Sequence, residues 1–421
     1  MITVSIIGLG YVGLPLACLC IEKGLLVKGV DIDVHKLDLL RKGECPLDDE
    51  RLAKEVKKHY KKFLLTDNTA EAVSKSDVII VCVPTPVDSK HNPDLKPLIG
   101  ACEAIALGIR ENCVVVIEST IYPGTVEEIV LPILQKSGKH FFLGHCPERI
   151  DPGNRKYTVK NLPRVVGGID DASTKEIAKF YRSIIEAETV ELSSVKAAEA
   201  TKIMENTFRD VNIAFVNEMA KSFDMVGIDI TEVIKGASSK PFGFMPHYPG
   251  AGVGGHCIAV DPYYLIAKAK QSGFDHDFLI LARKINESMP LYTIDILENL
   301  LKQLKKGIKG TKVGVLGLAY KGNVDDTRES PSWEVLSLLK KKESIIEIYD
   351  PFVKESSTVK NIDEFFSKVE AVVLVTDHTE FKSMDYGLIK RNNVRVIVDG
   401  RNCLDKEKIK SAGALYHGIG R

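Results

Sequence analysis

Short runs of aliphatic residues alternate with longer amphipathic stretches along the first 190 residues. The runs predict strands, and the stretches between them have helical periodicity or turn residues. The predicted strands are ITVSIIGLG (2–10), LLVKGVDID (25–33), DVIIVCVPTP (77–86), CVVVIEST (113–120), HFFLGHCPE (140–148) and a later RVVGGID (164–170). Alternation of strands and helices predicts a parallel, doubly wound sheet.

Residues 195–225 have a different pattern, because they contain neither glycine nor proline. Apolar residues recur there at spacings of three and four, at Ile203, Phe208, Val211 and Phe215. This pattern predicts one helix of about 46 Å, at 1.5 Å per residue. A helix of that length exceeds a typical globular helix, so we expect it to connect domains or to lie at a subunit interface.

The strand pattern restarts near residue 311. The predicted strands are TKVGVLGLAY (311–320), SIIEIYDP (344–351), VEAVVLVTD (369–377) and VRVIVDGRN (394–402). The chain is therefore predicted to be of the α/β class, with two Rossmann-like doubly wound domains joined by a central long helix and helical region. The expected domains are 1–190, 191–305 and 306–421, with KKGIKGTK (305–312) as the last linker.

Composition excludes several classes of protein. Lys plus Arg and Asp plus Glu both total 57, so the charge favours neither nucleic acid nor an anionic membrane. No apolar run reaches the ~18 residues of a membrane span, and the N-terminus is typical of a strand rather than a signal peptide. Nine scattered cysteines without CxxC indicate neither disulfides nor a zinc site, so we expect a cytoplasmic protein without a metal.

The first predicted strand runs into GLGYVG, which places Gly8, Gly10 and Gly13 in the GxGxxG spacing before a helix. In that context the first glycine permits a tight turn, the second lets a pyrophosphate approach and the third lets helix and strand pack closely. Asp31 ends the next strand and could accept the ribose hydroxyls, which favours NAD over NADP. Lys36 could weaken that preference, and a plain βαβ turn is the alternative.

The segment GAGVGGHCIAVDPYYL (250–265) places a glycine-rich stretch directly before Cys257 and Asp261. Two interpretations are open from these residues alone. The segment is an ordinary turn beside a buried thiol, or it is a backbone that lets a ligand approach a nucleophile.

Other polar residues lie where a site could form. Thr85 and Thr120 follow strands at the carboxyl edge of the predicted sheet, where doubly wound folds bind ligands. Lys202, Asn206 and Arg209 share one face of the long helix. Turn residues and a solvated helix face are the alternatives.

The C-terminal part has a polar loop of the same kind after its first strand. The segment LAYKGNVDDTRESP (318–331) contains Lys321, Asp325, Asp326 and Arg328, and Arg401 ends the last predicted strand. A solvated loop without a binding role is again the alternative.

Five segments occur together and in order: GLGYVGLP, ENTFRDVNIAFVNE, GVGGHCIAVDPYYL, GLAYKGNVDDTRESP and VDGRN. In this combination the sequence resembles the UDP-glucose/GDP-mannose dehydrogenases, from Ile2 to about Asn402. The resemblance implies an NAD-dependent four-electron oxidation of a nucleotide-sugar CH2OH group to a carboxylate. It also implies an N-terminal NAD domain, a central helical dimerisation region and a C-terminal UDP-sugar domain.

The resemblance also implies roles for single residues. Cys257 would be the nucleophile, with Lys202 and Asn206 around the C6 oxygen, and Asp261, Thr120 and Glu148 would position or activate water. The residues expected to contact NAD are Gly8, Gly10, Tyr11, Val12, Gly13, Asp31, Lys36, Thr85, Thr120 and Arg328. Those expected to contact the nucleotide sugar are Arg149, Ile150, Lys202, Asn206, Arg209, Gly254, Tyr320, Lys321 and Arg401. The base of the first oxidation stays open.

These residue types suit the implied chemistry. A first oxidation gives an aldehyde, the Cys257 thiolate adds to it, a second oxidation gives a thioester, and water hydrolyses that thioester. Covalent capture would retain the reactive aldehyde. An ammonium group at Lys202 would favour the thiolate and, with Asn206, would stabilise oxyanions.

The segments CPERIDPGN (146–154) and KPFGFMPHYPG (240–250) bear on the substrate. Pro152 stands where the UDP-glucose enzymes carry an acid, and the pattern resembles the N-acetylhexosamine branch. UDP-N-acetylglucosamine is the expected substrate, with UDP-N-acetylmannosamine, UDP-glucose and UDP-N-acetylgalactosamine as alternatives. A non-catalytic NAD or nucleotide sensor is the alternative from another class, but it would not need Cys257, Lys202, Asn206 and Asp261.

Overall fold

The computed structural model describes residues 1–47, 49–88, 93–150, 156–255 and 257–421. These residues divide into two units. Unit 1 comprises Met1–Glu205 and Tyr263–Asp275, and unit 2 comprises Asn206–Pro262 and His276–Arg421. The three domains expected from the sequence, with boundaries after residues 190 and 305, stay a prediction.

Unit 1 is built on one eight-stranded sheet with the order β3-β2-β1-β4-β5-β6-β7-β8. Its strands are β1 (Thr3–Ile7), β2 (Leu26–Val30), β3 (Phe63–Thr66), β4 (Val78–Val81), β5 (Cys113–Ile117), β6 (Phe141–His145), β7 (Arg164–Gly168) and β8 (Thr189–Glu191). Strands β1 to β6 are parallel, and β1, β4 and β5 are buried along their whole length. Continuous burial explains why these strands are aliphatic runs without polar alternation.

Helices cover both faces of this sheet. They are α1 (Gly13–Glu22), α2 (Val34–Lys42), α3 (Glu50–His59), α4 (Thr69–Val73), α5 (Lys96–Gly108), α6 (Leu131–Gln135) and α7 (Asp171–Ile184). Ile6 packs in the apolar cluster that contains α1 and α7, whereas its neighbour Ile7 packs in the cluster that contains α5. This alternation is the mark of a doubly wound sheet, so the predicted arrangement is confirmed for unit 1.

Strand β7 departs from the parallel pattern because it pairs antiparallel with β6, through Gly144 with Gly168 and His145 with Gly167. A parallel crossover needs a covering connection, usually a helix. The described residues between these strands, 146–150 and 156–163, form no helix. The chain therefore returns alongside β6 in the opposite direction.

The long central helix spans Val195–Met225, which confirms the predicted helix and both of its ends. We call it α8, and it runs from unit 1 into unit 2. A later helix, Asp261–Gln271, also crosses between the units.

Unit 2 contains a five-stranded parallel sheet with the order β10-β9-β11-β12-β13. Its strands are β9 (Lys312–Leu316), β10 (Ile345–Tyr349), β11 (Ala371–Leu374), β12 (Val396–Asp399) and β13 (Leu415–Gly418). The remaining helices, with the crossing helix as α10, are α9 (Ile230–Ala237), α10 (Asp261–Gln271), α11 (Asp277–Glu287), α12 (Met289–Gln303), α13 (Pro331–Lys341), α14 (Ile362–Lys368), α15 (Thr379–Lys382), α16 (Gly387–Arg391) and α17 (Lys406–Ser411).

The beginning of unit 2 repeats the beginning of unit 1. GLGYVG (8–13) follows β1 and GLAYKG (317–322) follows β9. The first glycine has a positive φ in both, +93° at Gly8 and +90° at Gly317. In each unit, an aspartate directly after the second strand accepts a hydrogen bond from the backbone amide of the leucine that follows this first glycine. Asp31 accepts from Leu9, and Asp350 accepts from Leu318. The two sheets therefore share one local design.

Candidate active site

The GxGxxG turn lies at the carboxyl end of β1, where the strand order reverses between β1 and β4. A Cβ at Gly8 would lie 2.6 Å from the Cys82 carbonyl oxygen, and one at Gly13 would collide with the Gly8 carbonyl. Among the described residues, nothing lies within 4 Å of the Cβ position at Gly10. The three glycines thus serve the turn, the open approach and the helix packing, respectively, and the half-buried Tyr11 and Val12 complete the turn.

Asp31 is buried beside this turn and is held by three donors. Its carboxylate accepts the backbone amides of Leu9 at 2.8 Å and Asp33 at 3.0 Å, and Lys36 Nζ lies 2.7 Å away. Burial opposes ionisation, but the hydrogen bond from Lys36 and the two amides outweigh it and lower the pKa of Asp31. A fixed negative charge at the second strand fits the ribose of NAD, and together with the open Gly10 it shows that these residues suit that cofactor.

Thr85 and Thr120 follow β4 and β5, and the structure brings them together. Thr85 Oγ1 donates to the Thr120 carbonyl oxygen at 2.6 Å, and Ser119 Oγ donates to the Val83 carbonyl at 2.7 Å. Tyr264 Oη also donates to the Thr85 carbonyl. Both threonines are half-buried at the carboxyl edge of the sheet, as expected from their positions after the strands.

Glu148 follows β6 at the same edge and is buried. One of its carboxylate oxygens accepts the backbone amides of Arg149 and Ile150, both at 2.6 Å. The Arg149 guanidinium turns elsewhere, because it pairs with Glu205 at 2.6 Å and donates to the Pro163 carbonyl at 3.0 Å. Arg149 therefore has charged and polar partners of its own within unit 1.

Lys202 is buried on α8, and its charge lowers the pKa of His145 at the end of β6, although burial is the larger cause. Three residues earlier on the helix, Glu199 accepts the backbone amides of Gly124 and Val126 at 2.5 and 2.8 Å. Glu199 thereby fixes the loop that follows Thr120. Unit 1 thus gathers Thr120, Glu148 and Lys202 around the carboxyl ends of β5 and β6.

In unit 2, Asn206 donates from Nδ2 to Asp261 Oδ2 at 2.5 Å, and both residues are buried. Asp261 begins α10, and its backbone amide donates to the Cys257 carbonyl at 2.8 Å. Cys257 is half-buried in the turn before that helix. The hydrogen bond to Asp326 is the main cause that raises the pKa of Arg328, and Cys257 is a smaller one. The structure therefore brings Asn206, Cys257 and Asp261 together, and their proposed roles stay a prediction.

The glycines before Cys257 have a structural reason that differs from the one suggested by the sequence. A Cβ at Gly252 would lie 2.7 Å from Pro331, one at Gly254 2.7 Å from the Glu329 carbonyl, and one at Gly255 2.9 Å from the Tyr320 ring. These positions have no side chain because the loop packs tightly on the segment after β9. Close approach to the chain itself, rather than to a ligand, accounts for these three glycines.

The residues expected at the nucleotide sugar in unit 2 fall into two groups. Arg401 donates to the carbonyls of Val375 at 2.9 Å and Tyr320 at 3.0 Å, so Arg401 and Tyr320 lie together near Gly250. Lys321 is half-buried next to them. Arg209 is exposed on α8, unlike the buried Lys202 and Asn206 on the same helix.

Two buried networks were not found by the sequence analysis. In unit 1, Arg164 lies against Glu118 and Glu148. In unit 2, Arg283 and Asn286 bind Asp210, and Asn217 links Asn286 to the Gly250 amide. In the sequence, each network is indicated only by a charged or amide side chain within an apolar run. Such a pattern does not identify the residue with which that side chain pairs.

A possible metal-ligand group within the described residues consists of Glu22, Glu55 and His59. Lys160 pairs with Glu22 at 2.6 Å, so a cation already occupies part of that group. The expectation that the protein needs no metal stays a prediction. Pro152, on which part of the substrate argument rests, lies outside the described residues.

A glycine-rich turn of this kind, at a topological switch point of a doubly wound sheet, is typical of proteins that bind NAD. Comparison with known protein families identifies the family to which the chain belongs. The model of the UDP-glucose/GDP-mannose dehydrogenase family matches in three parts, the NAD binding domain at residues 2–185, the central domain at 196–288 and the UDP binding domain at 314–406. The chain belongs to this family and is an NAD-dependent UDP-sugar dehydrogenase.

Several characterised proteins are similar over nearly the whole chain. UDP-N-acetyl-D-glucosamine 6-dehydrogenase of Pseudomonas aeruginosa is 37% identical, over 96% of this chain and 98% of that one. UDP-N-acetyl-D-mannosamine dehydrogenase of Pyrococcus horikoshii is 35% identical, over 99% of both. A solved structure of UDP-D-ManNAc dehydrogenase from Pyrococcus horikoshii superposes with a TM-score of 0.93 at 34% identity, covering 100% of this chain and 99% of that one.

Among the described residues, no helix is both long enough and apolar enough to cross a membrane.

Proposed function

We propose that this enzyme oxidises the C6 hydroxymethyl group of a UDP-N-acetylhexosamine, with UDP-N-acetylglucosamine as its substrate, to the uronic acid. The observation that carries this proposal is the buried Asn206–Asp261 hydrogen bond beside Cys257. A thiol beside an amide and a carboxylate suits covalent capture of an aldehyde. A nucleotide-binding sensor would not need this set.

The proposed chemistry uses the residues as follows. NAD, when bound, takes up the hydride that leaves C6 in each oxidation. The Cys257 sulfur adds to the intermediate aldehyde carbon and, after the second oxidation, is left as a thioester. Lys202 and the Asn206 amide bind the C6 oxygen and stabilise the negative charge that develops on it. Thr120, Glu148 and Asp261 hold or deprotonate the water that releases the acid.

The other proposed contacts follow the same division of roles. Asp31 binds the ribose of NAD, and Thr85 and Arg328 contact the cofactor elsewhere. Tyr320, Lys321 and Arg401 bind the nucleotide sugar, and so does the backbone at Gly254. The Tyr320–Arg401 hydrogen bond supports a common role for these two residues.

The acetamido preference rests on the relatives and on one surface segment. Both curated relatives named above act on N-acetylated UDP-hexosamines according to their names. Phe242 and Phe244 are exposed and could form an apolar wall for the acetamido methyl group. Arg209, exposed on α8, is the better proposed donor to the acetamido carbonyl, because Arg149 is held by Glu205.

UDP-N-acetylmannosamine is the second candidate, because the solved structure with a TM-score of 0.93 is a UDP-ManNAc dehydrogenase. The two sugars differ only in the configuration at C2. A donor that pairs with the acetamido carbonyl loses this hydrogen bond when glucose binds, which costs about 1–3 kcal/mol.

We expect UDP-N-acetylglucosamine to have a kcat/KM about tenfold or more above that of UDP-glucose, with UDP-N-acetylmannosamine between them. The measurement is NADH absorbance with the three sugars under identical conditions, together with chromatographic detection of the uronate. A higher kcat/KM for UDP-N-acetylmannosamine would select the second candidate. Equal or better use of UDP-glucose would contradict the acetamido preference and leave the family membership intact.

We further propose that the enzyme is a homodimer whose interface includes α8. Phe208 and Phe215 are 45% and 58% exposed on this helix. Seven residues make about two helical turns, so the two rings share a face. Exposed aromatic residues that share one face of a helix are typical of an interface. A cytoplasmic location stays a prediction.

Replacing both Phe208 and Phe215 with Glu is therefore expected to produce monomers. The measurement is light scattering coupled to size exclusion, where the wild type should have twice the chain mass of 46.5 kDa. Leu107→Glu is the matched control, because Leu107 is an exposed apolar residue on a different helix, α5. A wild-type monomer that is fully active would contradict the proposal.

A further inference from the structure

A buried charge cluster lies behind Glu148 in unit 1. Arg164 begins β7 and is fully buried. Its Nη1 lies 2.9 Å from Glu148 Oε2 and 3.6 Å from Glu118 Oε2, so one guanidinium serves two carboxylates. Tyr181 of α7 donates its hydroxyl hydrogen to the other oxygen of Glu118, and the Tyr181 ring lies 5.6 Å from Arg164 Cζ.

When Glu118 and Glu148 are both ionised, the cluster has two negative charges and only the one positive charge of Arg164. Burial raises the pKa of Glu118 to about 7; Arg164 opposes that rise and Glu148 adds to it. Among the residues that the structure describes, the other acidic groups that act on the cluster, besides Tyr181, are thiols. Burial raises the pKa of each: Cys20 of α1, Cys82 after β4 and Cys146 after β6. Neutral thiols and the Tyr181 hydroxyl leave Glu118 as the group that titrates near neutral pH.

The contribution of this cluster to the stability of the fold does not by itself explain why these charged residues are present. Buried ion pairs contribute little net stability compared with well-packed apolar residues. Among the described residues, Arg164 Nε and Nη2 and Glu118 Oε2 have no hydrogen-bond partner, which adds a desolvation cost. By contrast, the cluster orients Glu148 well, because two backbone amides fix one of its oxygens and Arg164 fixes the other.

We propose that Arg164 is a positioning residue for Glu148, and that Glu118 controls how strongly the Arg164 charge acts on it. The inference rests on the proposed function, in which Glu148 acts on the hydrolytic water. In that step the water oxygen bonds to the acyl carbon while one water proton passes to the Glu148 carboxylate. The C–S bond then breaks, Cys257 leaves as the thiolate, and no electrons are transferred to or from an acceptor.

The direction of each effect follows from electrostatics. A cation beside a carboxylate makes it a weaker base, but the Arg164 ion pair also holds Glu148 in position, so removing Arg164 is expected to slow the step. When Glu118 is ionised, the Arg164 charge is partly neutralised by it and acts less strongly on Glu148. When Glu118 is neutral, the full Arg164 charge acts on Glu148. Hydrolysis by the wild type is therefore expected to rise by a few-fold between pH 6 and 8, as Glu118 ionises.

The test follows the decay of the acyl-enzyme by rapid quench and intact-mass measurement at pH values from 5 to 9. Cys257 is acylated in this species and therefore does not itself titrate. Arg164→Gln should slow decay about tenfold and accumulate the acyl-enzyme adduct. Arg164→Lys, which retains the charge, should restore decay to within about threefold of the wild-type rate. Glu118→Gln should remove the rise between pH 6 and 8, while the acyl-enzyme still decays.

Each outcome separates the inference from the function on which it rests. If Glu148→Gln does not accumulate acyl-enzyme, the proposed role of Glu148 is wrong. If Glu148→Gln does accumulate it while Arg164→Gln releases the acid at the wild-type rate, or Glu118→Gln retains the rise, the inference is overturned. Should Arg164→Gln fail to fold, Arg164→Lys and Glu118→Gln still decide it. Unchanged NAD affinity by fluorescence titration in each variant would exclude a general loss of structure.

Discussion

Cys257→Ser is expected to lower the rate of uronic acid formation by about a thousand-fold or more. A serine hydroxyl is a poor nucleophile at neutral pH without a dedicated base, so the aldehyde would not be captured. The immediate neighbours of Cys257 in unit 2, Asn206 and Asp261, would remain in place, because they bind each other through their own side chains. The measurement is chromatographic detection of the uronate, with NADH release followed in parallel.

Cys45→Ser is the matched control, because Cys45 is another half-buried cysteine. It lies before α3 and is distant from Cys257 in the sequence. Its uronate formation should stay close to that of the wild type. Near wild-type acid production by Cys257→Ser would show that this thiol only supports the loop, and the covalent mechanism would then have to be abandoned.

Asp350→Ala is expected to lower the free energy of unfolding of unit 2 by about 3–5 kcal/mol. Asp350 is fully buried, and its carboxylate accepts the amides of Leu318, Ala319, Phe352 and Val353 at 2.6–3.1 Å. Alanine would leave these four donors without their acceptor inside the protein. The measurement is urea unfolding monitored by circular dichroism.

The effect of Asp350→Ala should also depend on pH. Burial opposes ionisation of Asp350, but His378 at 3.0 Å and the amides of Ala319 and Leu318 outweigh it and lower its pKa to about 2. A carboxylate with a lowered pKa stabilises the fold above the unfolded pKa of 3.8, and that contribution is lost as the pH falls toward 2. The difference between wild type and variant should therefore be constant from pH 5 to 8 and shrink below 3.8.

Asp363→Ala, at an exposed acid on α14, provides the comparison and should change the unfolding free energy by less than about 0.5 kcal/mol. An equal, small effect of both substitutions would mean that the four amides find other acceptors. The prediction for Asp350 would then be wrong.

Local patterns carried most of what the sequence predicted correctly. The GLGYVG turn and Asp31 are set by spacing within 24 residues, and α8 is set by an uninterrupted helical pattern. Three strands were missed, β3 (FLLT), β8 (TVE) and β13 (LYHG). They are three or four residues long, β8 and β13 carry charged or polar residues, and their pairing comes from neighbours in the sheet.

The parts of the site that depend on distant residues could not be predicted from pattern alone. Asn206 and Asp261 are 55 residues apart, and only the family resemblance suggested that they act together. Arg164 and Glu148 come from a strand and a loop whose sequences carry no sign of each other. The repeat of GLGYVG as GLAYKG was also missed, because two of its six positions differ and the shared role of Asp31 and Asp350 is visible only in hydrogen bonds.

The burial of most cysteines has a practical consequence for chemical labelling. Thiolates, not thiols, react with iodoacetamide, and burial raises the pKa of seven thiols: Cys18, Cys20, Cys82, Cys102, Cys113, Cys146 and Cys403. Alkylation of the native enzyme at neutral pH should therefore concentrate on Cys45 and Cys257. In a Cys45→Ser background, one equivalent of a fluorescent or spin-label reagent would then report from Cys257 alone, which makes this chain suitable for site-directed spectroscopy without a cysteine-less variant.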